Sequence, residues 1–109
     1  MTVRVLILQN NNEIISEVEE REDEVTDCIL INPKIIVKNY IYNDEDLPPE
    51  NSLEFGTEQF SRDTAKVYLT LENFIPYTYQ KQIPIRSSDI FTIVEPREDL
   101  LKYYRETIG

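Results

Sequence analysis

Apolar and polar positions along most of this chain follow the period of β-strands. Thr2 to Gln9 carries apolar side chains on both parities, which is typical of a strand buried on nearly both faces. Glu13 to Glu20 alternates only in part, so we expect its far half to face solvent. A long apolar run from Asp27 to Tyr42 contains Pro33, which cannot donate a ladder hydrogen bond. The pattern therefore predicts one long strand with a bulge or bend at Pro33.

The second half of the chain predicts a loop and three further strands. Asn43 to Asp63 is acidic, contains two adjacent prolines and has few periodic apolar positions, which indicates a long acidic loop. Ala65 to Ile75 alternates cleanly and predicts a half-buried strand. Gln80 to Arg86 and Ile90 to Val94 predict the last two strands, separated by a tight turn of small polar residues.

A helix is predicted over residues 97–108. Acidic residues lie in its first turn and basic residues further on, as the helix dipole favours. Leu101, Tyr104 and Ile108 recur on one face. The pattern as a whole predicts a mainly β protein with a C-terminal helix.

Composition limits the size and the charge of the molecule. A chain of 109 residues fits one domain, residues 1–109, with a single core. The 21 acidic residues exceed the 11 basic ones and give a net charge of −10. Because the basic residues are spread along the chain, a positive patch would have to be assembled by folding or oligomerisation.

The inventory of reactive side chains argues against an enzyme. The chain has no histidine, so imidazole catalysis and the usual zinc sites have no ligand or base. Glu17 and Glu19 share one strand face and could share a proton or a metal, but a solvated surface is the preferred interpretation. Cys28 stands in an apolar run and is interpreted as a core or interface residue. We expect no catalytic residues, no metal and no cofactor.

The N-terminal residues contain no apolar run of the length that a signal peptide or a membrane span needs. We therefore expect a cytoplasmic protein without a membrane partner.

Two segments resemble the signature segments of the Sm-like family (Sm, LSm and Hfq type). Leu8 to Val18 resembles the first signature, with Asn11 in place of a turn glycine and Ser16 in place of a strand glycine. Both replacements are tolerable, because asparagine adopts the left-handed conformation and serine is small. Ile85-Arg86-Ser87, followed by Ile90 to Ile93, resembles the second signature, Ile-Arg-Gly and a short apolar strand.

The resemblance implies a small, strongly bent, five-stranded antiparallel barrel of SH3-like type. The C-terminal helix stands in place of the N-terminal helix usual in the family, a pattern similar to short Sm-like proteins encoded by tailed phages. A phage origin would imply the host cytoplasm. SH3-like and oligonucleotide-binding barrels are the alternative folds.

The resemblance also implies a nucleic-acid site. Sm-like rings bind RNA at the pore, and Asn32, Arg86 and Ser87 would line that pocket here, with Asp27 as the nearest counterpart of a family aspartate. The alternative is that Asn32 satisfies backbone at the Pro33 bulge and that Arg86 pairs with a carboxylate such as Asp89. The acidity of the chain favours this alternative, since single-stranded RNA sites need cationic grooves.

Head-to-tail pairing of edge strands would close a ring of five to seven copies, by analogy with the family. Tyrosine is common where subunits meet. The residues expected at this oligomer interface are Ile90, Phe91, Thr92, Ile93, Val94 and Tyr68.

Two functions remain open. The first is a non-enzymatic, ring-forming Sm-like protein that binds single-stranded RNA at the ring. The second is an acidic structural or adaptor protein that engages a basic protein partner through the acidic loop and binds no nucleic acid.

Overall fold

The chain is mainly β-structure with one C-terminal helix, as expected. A computed structural model describes residues 2–20 and 28–109, and within them seven strands and one α-helix are found. The strands are β1 Thr2–Leu8, β2 Glu13–Glu20, β3 Cys28–Ile41, β4 Leu53–Phe60, β5 Asp63–Asn73, β6 Gln82–Ile85 and β7 Ile90–Val94. A single 3-10 turn, Ser87–Asp89, separates β6 from β7, and α1 is Glu98–Ile108. Asp27 and the charged connection Arg21 to Glu24 lie outside the described residues.

The strands belong to two compact units. The first unit comprises residues 1–35 and 73–109, and its strands are hydrogen-bonded in the order β6-β3-β2-β1-β7. The second unit, residues 36–72, contains β4, β5 up to Glu72 and the end of β3, in the order β4-β5-β3. Every pair with a known register is antiparallel.

The prediction of a five-stranded barrel is wrong. Seven strands form within the described residues, and they do not close into a barrel, because β4 and β7 end the strand order without pairing with each other. One of the additional strands, β4, comes from the middle of the chain, where the sequence predicts a loop.

The acidic loop is shorter than the predicted span of 43–63. Its second half is β4, which pairs with β5 from Leu53↔Leu69 to Phe60↔Asp63. A register shift between Glu54 and Gly56 interrupts this ladder. Because the bulge breaks the two-residue period, the apolar residues of β4 do not alternate in sequence.

The first unit has a core of apolar side chains from four of its strands. Its members are Leu6, Leu8, Ile14, Val18, Cys28, Leu30 and Ile83. The expected buried position of Cys28 is confirmed. The turn between β1 and β2 is confirmed as well, since Asn11 has φ 69° and its N–H donates to the Leu8 carbonyl oxygen at 2.9 Å.

The helix is confirmed within one residue of its predicted start. Leu100 and Tyr104, four positions apart, are its buried residues, while Leu101 and Ile108 are only half-buried. The predicted buried face is therefore confirmed at Tyr104. Its other buried residue is Leu100 and not Leu101. Spacing by four places Leu100 and Tyr104 above each other on one side of the helix.

Candidate functional site

Strand β7 is an open apolar edge of the first unit. In the part of the chain that the structure describes, β7 pairs with β1 alone, from Val5↔Val94 to Leu8↔Ile90. A register shift between Ile7 and Leu8 leaves Phe91 without a partner position in this ladder. The Phe91 side chain is 70% exposed, and Ile93 and Val94 are also exposed. Exposed edges of this kind are sites where further strands can pair.

Strand β6 is the other end of the strand order in this unit. It pairs with β3 from Cys28↔Ile85 to Ile31↔Gln82. Pro84 lies within it, which fits an edge strand because proline cannot donate to a second ladder. The first unit therefore has two edges, β6 and β7, separated in sequence by one short turn.

The predicted interface residues fall into different units. Ile90 to Val94 form β7, and Ile90 and Thr92 are half-buried, with Ile90 packed against the core. Tyr68 lies in β5 of the second unit, half-buried, and its carbonyl oxygen accepts from the Asn39 side-chain amide at 3.3 Å.

The bulge expected at Pro33 is confirmed in β3. The pairs Ile15↔Lys34 and Glu17↔Ile31 place Asn32 and Pro33 together opposite the single residue Ser16. Asn32 has φ 52°, a left-handed conformation that asparagine adopts more readily than most residues.

Two buried hydroxyl groups satisfy the carbonyls at this bulge. The Ser16 hydroxyl lies 2.8 Å from the Glu17 carbonyl oxygen and 3.0 Å from the Ile31 carbonyl oxygen. The Tyr104 hydroxyl lies 2.8 Å from the Asn32 carbonyl oxygen and accepts from the Glu17 N–H at 3.3 Å. Burial raises the pKa of Tyr104, and hydrogen bonding from the Glu17 N–H opposes that rise. This arrangement is structural, since it uses the backbone of Asn32 and not its side chain.

The structure does not bring Asn32 together with Arg86 and Ser87. The Asn32 N–H donates to the Lys81 carbonyl oxygen at 2.8 Å, whereas Arg86 and Ser87 lie five and six residues beyond Lys81, past the other end of β6. Five extended residues span about 16 Å. The β3–β6 register therefore separates Asn32 from Arg86 and Ser87 within the chain, and a nucleic-acid site that includes all three stays a prediction.

Arg86 itself is exposed and precedes the 3-10 turn. Its carbonyl oxygen accepts from the Asp89 N–H at 3.0 Å. The expected ion pair between the Arg86 and Asp89 side chains is absent among residues 2–20 and 28–109. Ser87 is exposed at the start of the turn. Arg86 thus presents a guanidinium to solvent between the two edge strands.

A cleft of about 200 Å³ lies beside Asn32 in the first unit. It is formed by the β3 bulge on one side and by residues 73–81 with the start of β6 on the other. Lys34, Lys81, Phe74 and Tyr79 are among its lining residues. The tyrosines beside Pro76 are the sequence feature that indicates this cleft. No motif connects Lys34 with Lys81.

An aromatic cluster lies in the second unit. The rings of Tyr40 and Phe60 meet edge to face at 5.1 Å between centroids, and Tyr42 lies 6.2 Å from Phe60. Lys38 and Glu58 form an ion pair beside them, with Nζ and Oε1 3.1 Å apart. Desolvation raises the pKa of Tyr40, and the neighbouring Glu58 carboxylate raises it further. All three rings are at least one-third exposed.

No group of three or more His, Cys, Asp or Glu side chains that could hold a metal is found within the described ranges. Glu17 and Glu19 are half-buried on β2.

Among the described helices, none has the length and apolar character needed to span a membrane.

Comparison with known proteins identifies a family and no characterised relative. No curated protein matches the chain. All of residues 1–109 match the sequence profile of DUF6561, a family of unknown function. The chain therefore belongs to the family DUF6561.

Proposed function

We propose that this protein is a non-enzymatic Sm-like module that assembles head to tail with copies of itself. The observation that carries the proposal is the open edge of β7, with Phe91 70% exposed and Ile93 43% exposed. A monomer that kept this edge in water would expose both an unpaired backbone ladder and large apolar side chains. Pairing with another chain removes both.

The two edges of the first unit are the strands left for a head-to-tail contact, in which Pro84 would leave one hydrogen bond of the β6 ladder unmade. β7 of one copy would add to β6 of the next, because both have a single neighbour among the described residues. Such a contact joins two different surfaces, so it repeats from copy to copy and closes into a ring when the rotation fits. The resemblance to the Sm-like family supports a ring of five to seven copies.

Native mass spectrometry and sedimentation velocity at micromolar concentration test this proposal. The wild-type protein is expected as one defined oligomer. Phe91→Glu with Ile93→Glu is expected to dissociate it, since like charges and lost apolar contacts would act at every interface. Leu47→Glu is the matched control, because Leu47 is an apolar side chain 87% exposed in the second unit. A monomeric wild-type protein would refute the proposal.

RNA binding is proposed as the activity of that assembly, through Arg86. Its support is that Arg86 is exposed and has no carboxylate within ion-pair distance among the described residues. Because Arg86 stands between β6 and β7, head-to-tail pairing would repeat the guanidinium once per copy near each contact. A repeated positive charge could offset the net charge of −10 locally.

Fluorescence anisotropy with labelled oligo-U at low salt tests the RNA proposal. Arg86→Ala is expected to weaken binding at least tenfold, while Arg105→Ala on the exposed face of α1 serves as the charge-matched control. Equal affinities of the two variants, or no binding by the wild type, would exclude a role for Arg86.

An adaptor function is the second candidate. The loop between β3 and β4 carries Asp44, Glu45 and Asp46 beside Leu47, all of them exposed. An apolar side chain at the centre of an acidic loop is suited to a basic protein partner with an apolar pocket. Assembly without oligo-U binding would favour this function over RNA binding.

A further inference from the structure

We propose that the cleft beside Asn32 binds a phosphate monoester carried on an apolar or aromatic body. The cleft belongs entirely to the first unit, and it involves neither β7 nor Arg86. It is therefore independent of the proposed assembly edge and of the proposed RNA contact.

The charge of the cleft is opposite to that of the whole chain. Lys34 and Lys81 line it, and no aspartate or glutamate does. Acidic residues outnumber basic ones 21 to 11 in the sequence, so two lysines without a carboxylate form an unusual local excess of positive charge. Among the described residues, neither ammonium group lies in an ion pair. Two cationic donors match an anion of nearly two charges, as a phosphate monoester is at neutral pH.

Hydrogen bonds hold the Lys34 ammonium group on one side of the cleft and the Lys81 backbone on the other. Lys34 Nζ donates to Asn73 Oδ1 at 2.5 Å, which leaves two of its three N–H bonds for a ligand. The Asn32 N–H holds the Lys81 carbonyl oxygen at 2.8 Å, so the backbone that carries Lys81 is fixed to the β3 bulge. Asn32 also lines the cleft.

The apolar part of the lining specifies the rest of the ligand. Phe74 packs against the core on one side and borders the cleft on the other, together with Ile75 and Ile83. Tyr79 stands fully exposed at the rim, where its ring could stack on a planar group. A volume of about 200 Å³ accommodates a phosphate with a single ring.

Titration of the full chain with defined probes tests the site. The probes are inorganic phosphate, phenyl phosphate, phenylacetate and adenosine 5′-monophosphate, followed by isothermal calorimetry and by amide chemical shifts. Phenyl phosphate is expected to bind one site per chain, at least tenfold more tightly than inorganic phosphate or phenylacetate. The largest shift changes are expected at Asn32, Lys34 and Lys81. Tighter binding of the mononucleotide than of phenyl phosphate would identify a nucleotide as the source of the phosphate.

Variants separate the site from general charge effects. Lys81→Ala is expected to weaken phenyl phosphate about tenfold, as loss of one charged hydrogen bond does. Tyr79→Ala is expected to weaken phenyl phosphate but not inorganic phosphate. Lys102→Ala on the exposed face of α1 is the matched control and is expected to change nothing. Absence of saturable binding, or an equal loss in Lys81→Ala and Lys102→Ala, would overturn the proposal.

Discussion

The hydroxyl groups of Ser16 and Tyr104 both lie within hydrogen-bond distance of the Ile31 carbonyl oxygen, at 3.0 and 3.1 Å. Each also has a nearer acceptor at 2.8 Å, the Glu17 carbonyl oxygen for Ser16 and the Asn32 carbonyl oxygen for Tyr104. Both side chains are fully buried. Ladder hydrogen bonds are missing here because Asn32 and Pro33 stand opposite one residue of β2. The two hydroxyls replace those bonds, and in doing so Tyr104 attaches α1 to the β2–β3 bulge.

Removing the Tyr104 hydroxyl should destabilise the protein without changing its shape. Tyr104→Phe leaves the partly buried Glu17 N–H and Asn32 carbonyl oxygen without this partner. We expect the free energy of unfolding to fall by about 1 to 3 kcal/mol, the cost of unsatisfied buried groups. Urea unfolding followed by circular dichroism measures it.

Tyr77→Phe provides the control for the same chemical change. Tyr77 is 93% exposed, so we expect its unfolding free energy to stay within about 0.5 kcal/mol of the wild type. Equal stability of Tyr104→Phe and Tyr77→Phe would show that the hydroxyl at the bulge is dispensable.

The same hydroxyl predicts loss of stability at alkaline pH. Burial raises the pKa of Tyr104 in the folded protein above its ordinary value near 10. A raised pKa means that the folded state holds the proton more tightly than the unfolded state does. The stabilisation is therefore complete below about pH 10 and is lost as the pH rises through the folded pKa.

The contribution of the Tyr104 hydroxyl is measured as the difference in unfolding free energy between the wild type and Tyr104→Phe. The other tyrosines and the lysines are present in both proteins, so their effects cancel in this difference. We expect the difference to be constant from pH 7 to 9 and to shrink at pH 10 to 11. A difference that stays constant up to pH 11 would contradict a raised pKa.

Ser16 and Tyr104 should be energetically coupled through Ile31. Ser16→Ala alone is expected to cost about 1 kcal/mol, the net value of a typical hydrogen bond. When both donors are removed, the Ile31 carbonyl oxygen loses its two side-chain partners at once. We expect Ser16→Ala with Tyr104→Phe to deviate from the sum of the single changes by about 0.5 kcal/mol or more.

A double-mutant cycle measured by urea unfolding gives this coupling. Ser16→Ala combined with Tyr77→Phe is the reference pair, for which additivity is expected. If the losses of unfolding free energy for Ser16→Ala and Tyr104→Phe add, the two side chains are not coupled through the Ile31 carbonyl oxygen.

Local patterns predicted much of the fold. The apolar runs located β1, β2, β3 and β7, since residues buried in strands produce a period of two or continuous apolar stretches. Pro33 located the bulge, because proline removes a ladder donor. Charge and spacing located α1. In each case the element depends on residues that are close together in the sequence, so a local pattern is enough to predict it.

Relationships between distant segments could not be predicted in the same way. Gly56 follows a bulge in β4, so the alternation that identifies a strand is broken there. The β3–β6 register separates Asn32 from Arg86, and a register is set by pairing and not by either sequence alone. The cleft between Lys34 and Lys81 depends on that same register.

A substitution at Gly56 tests the role of the bulge in β4. Its φ of 145° lies in a region that other residues rarely adopt, while a Cβ placed on it would meet no atom within 4 Å. Gly56→Ala therefore isolates backbone strain from steric overlap. We expect the unfolding free energy to fall by about 1 to 3 kcal/mol, the usual cost of holding a residue in such a conformation. Thr57→Ala, at the next position, which is also exposed, should cost less than about 1 kcal/mol. Hydrogen exchange should locate the loss of protection in β4 and β5, and unchanged protection there would show that this conformation is not needed for the β4–β5 pairing.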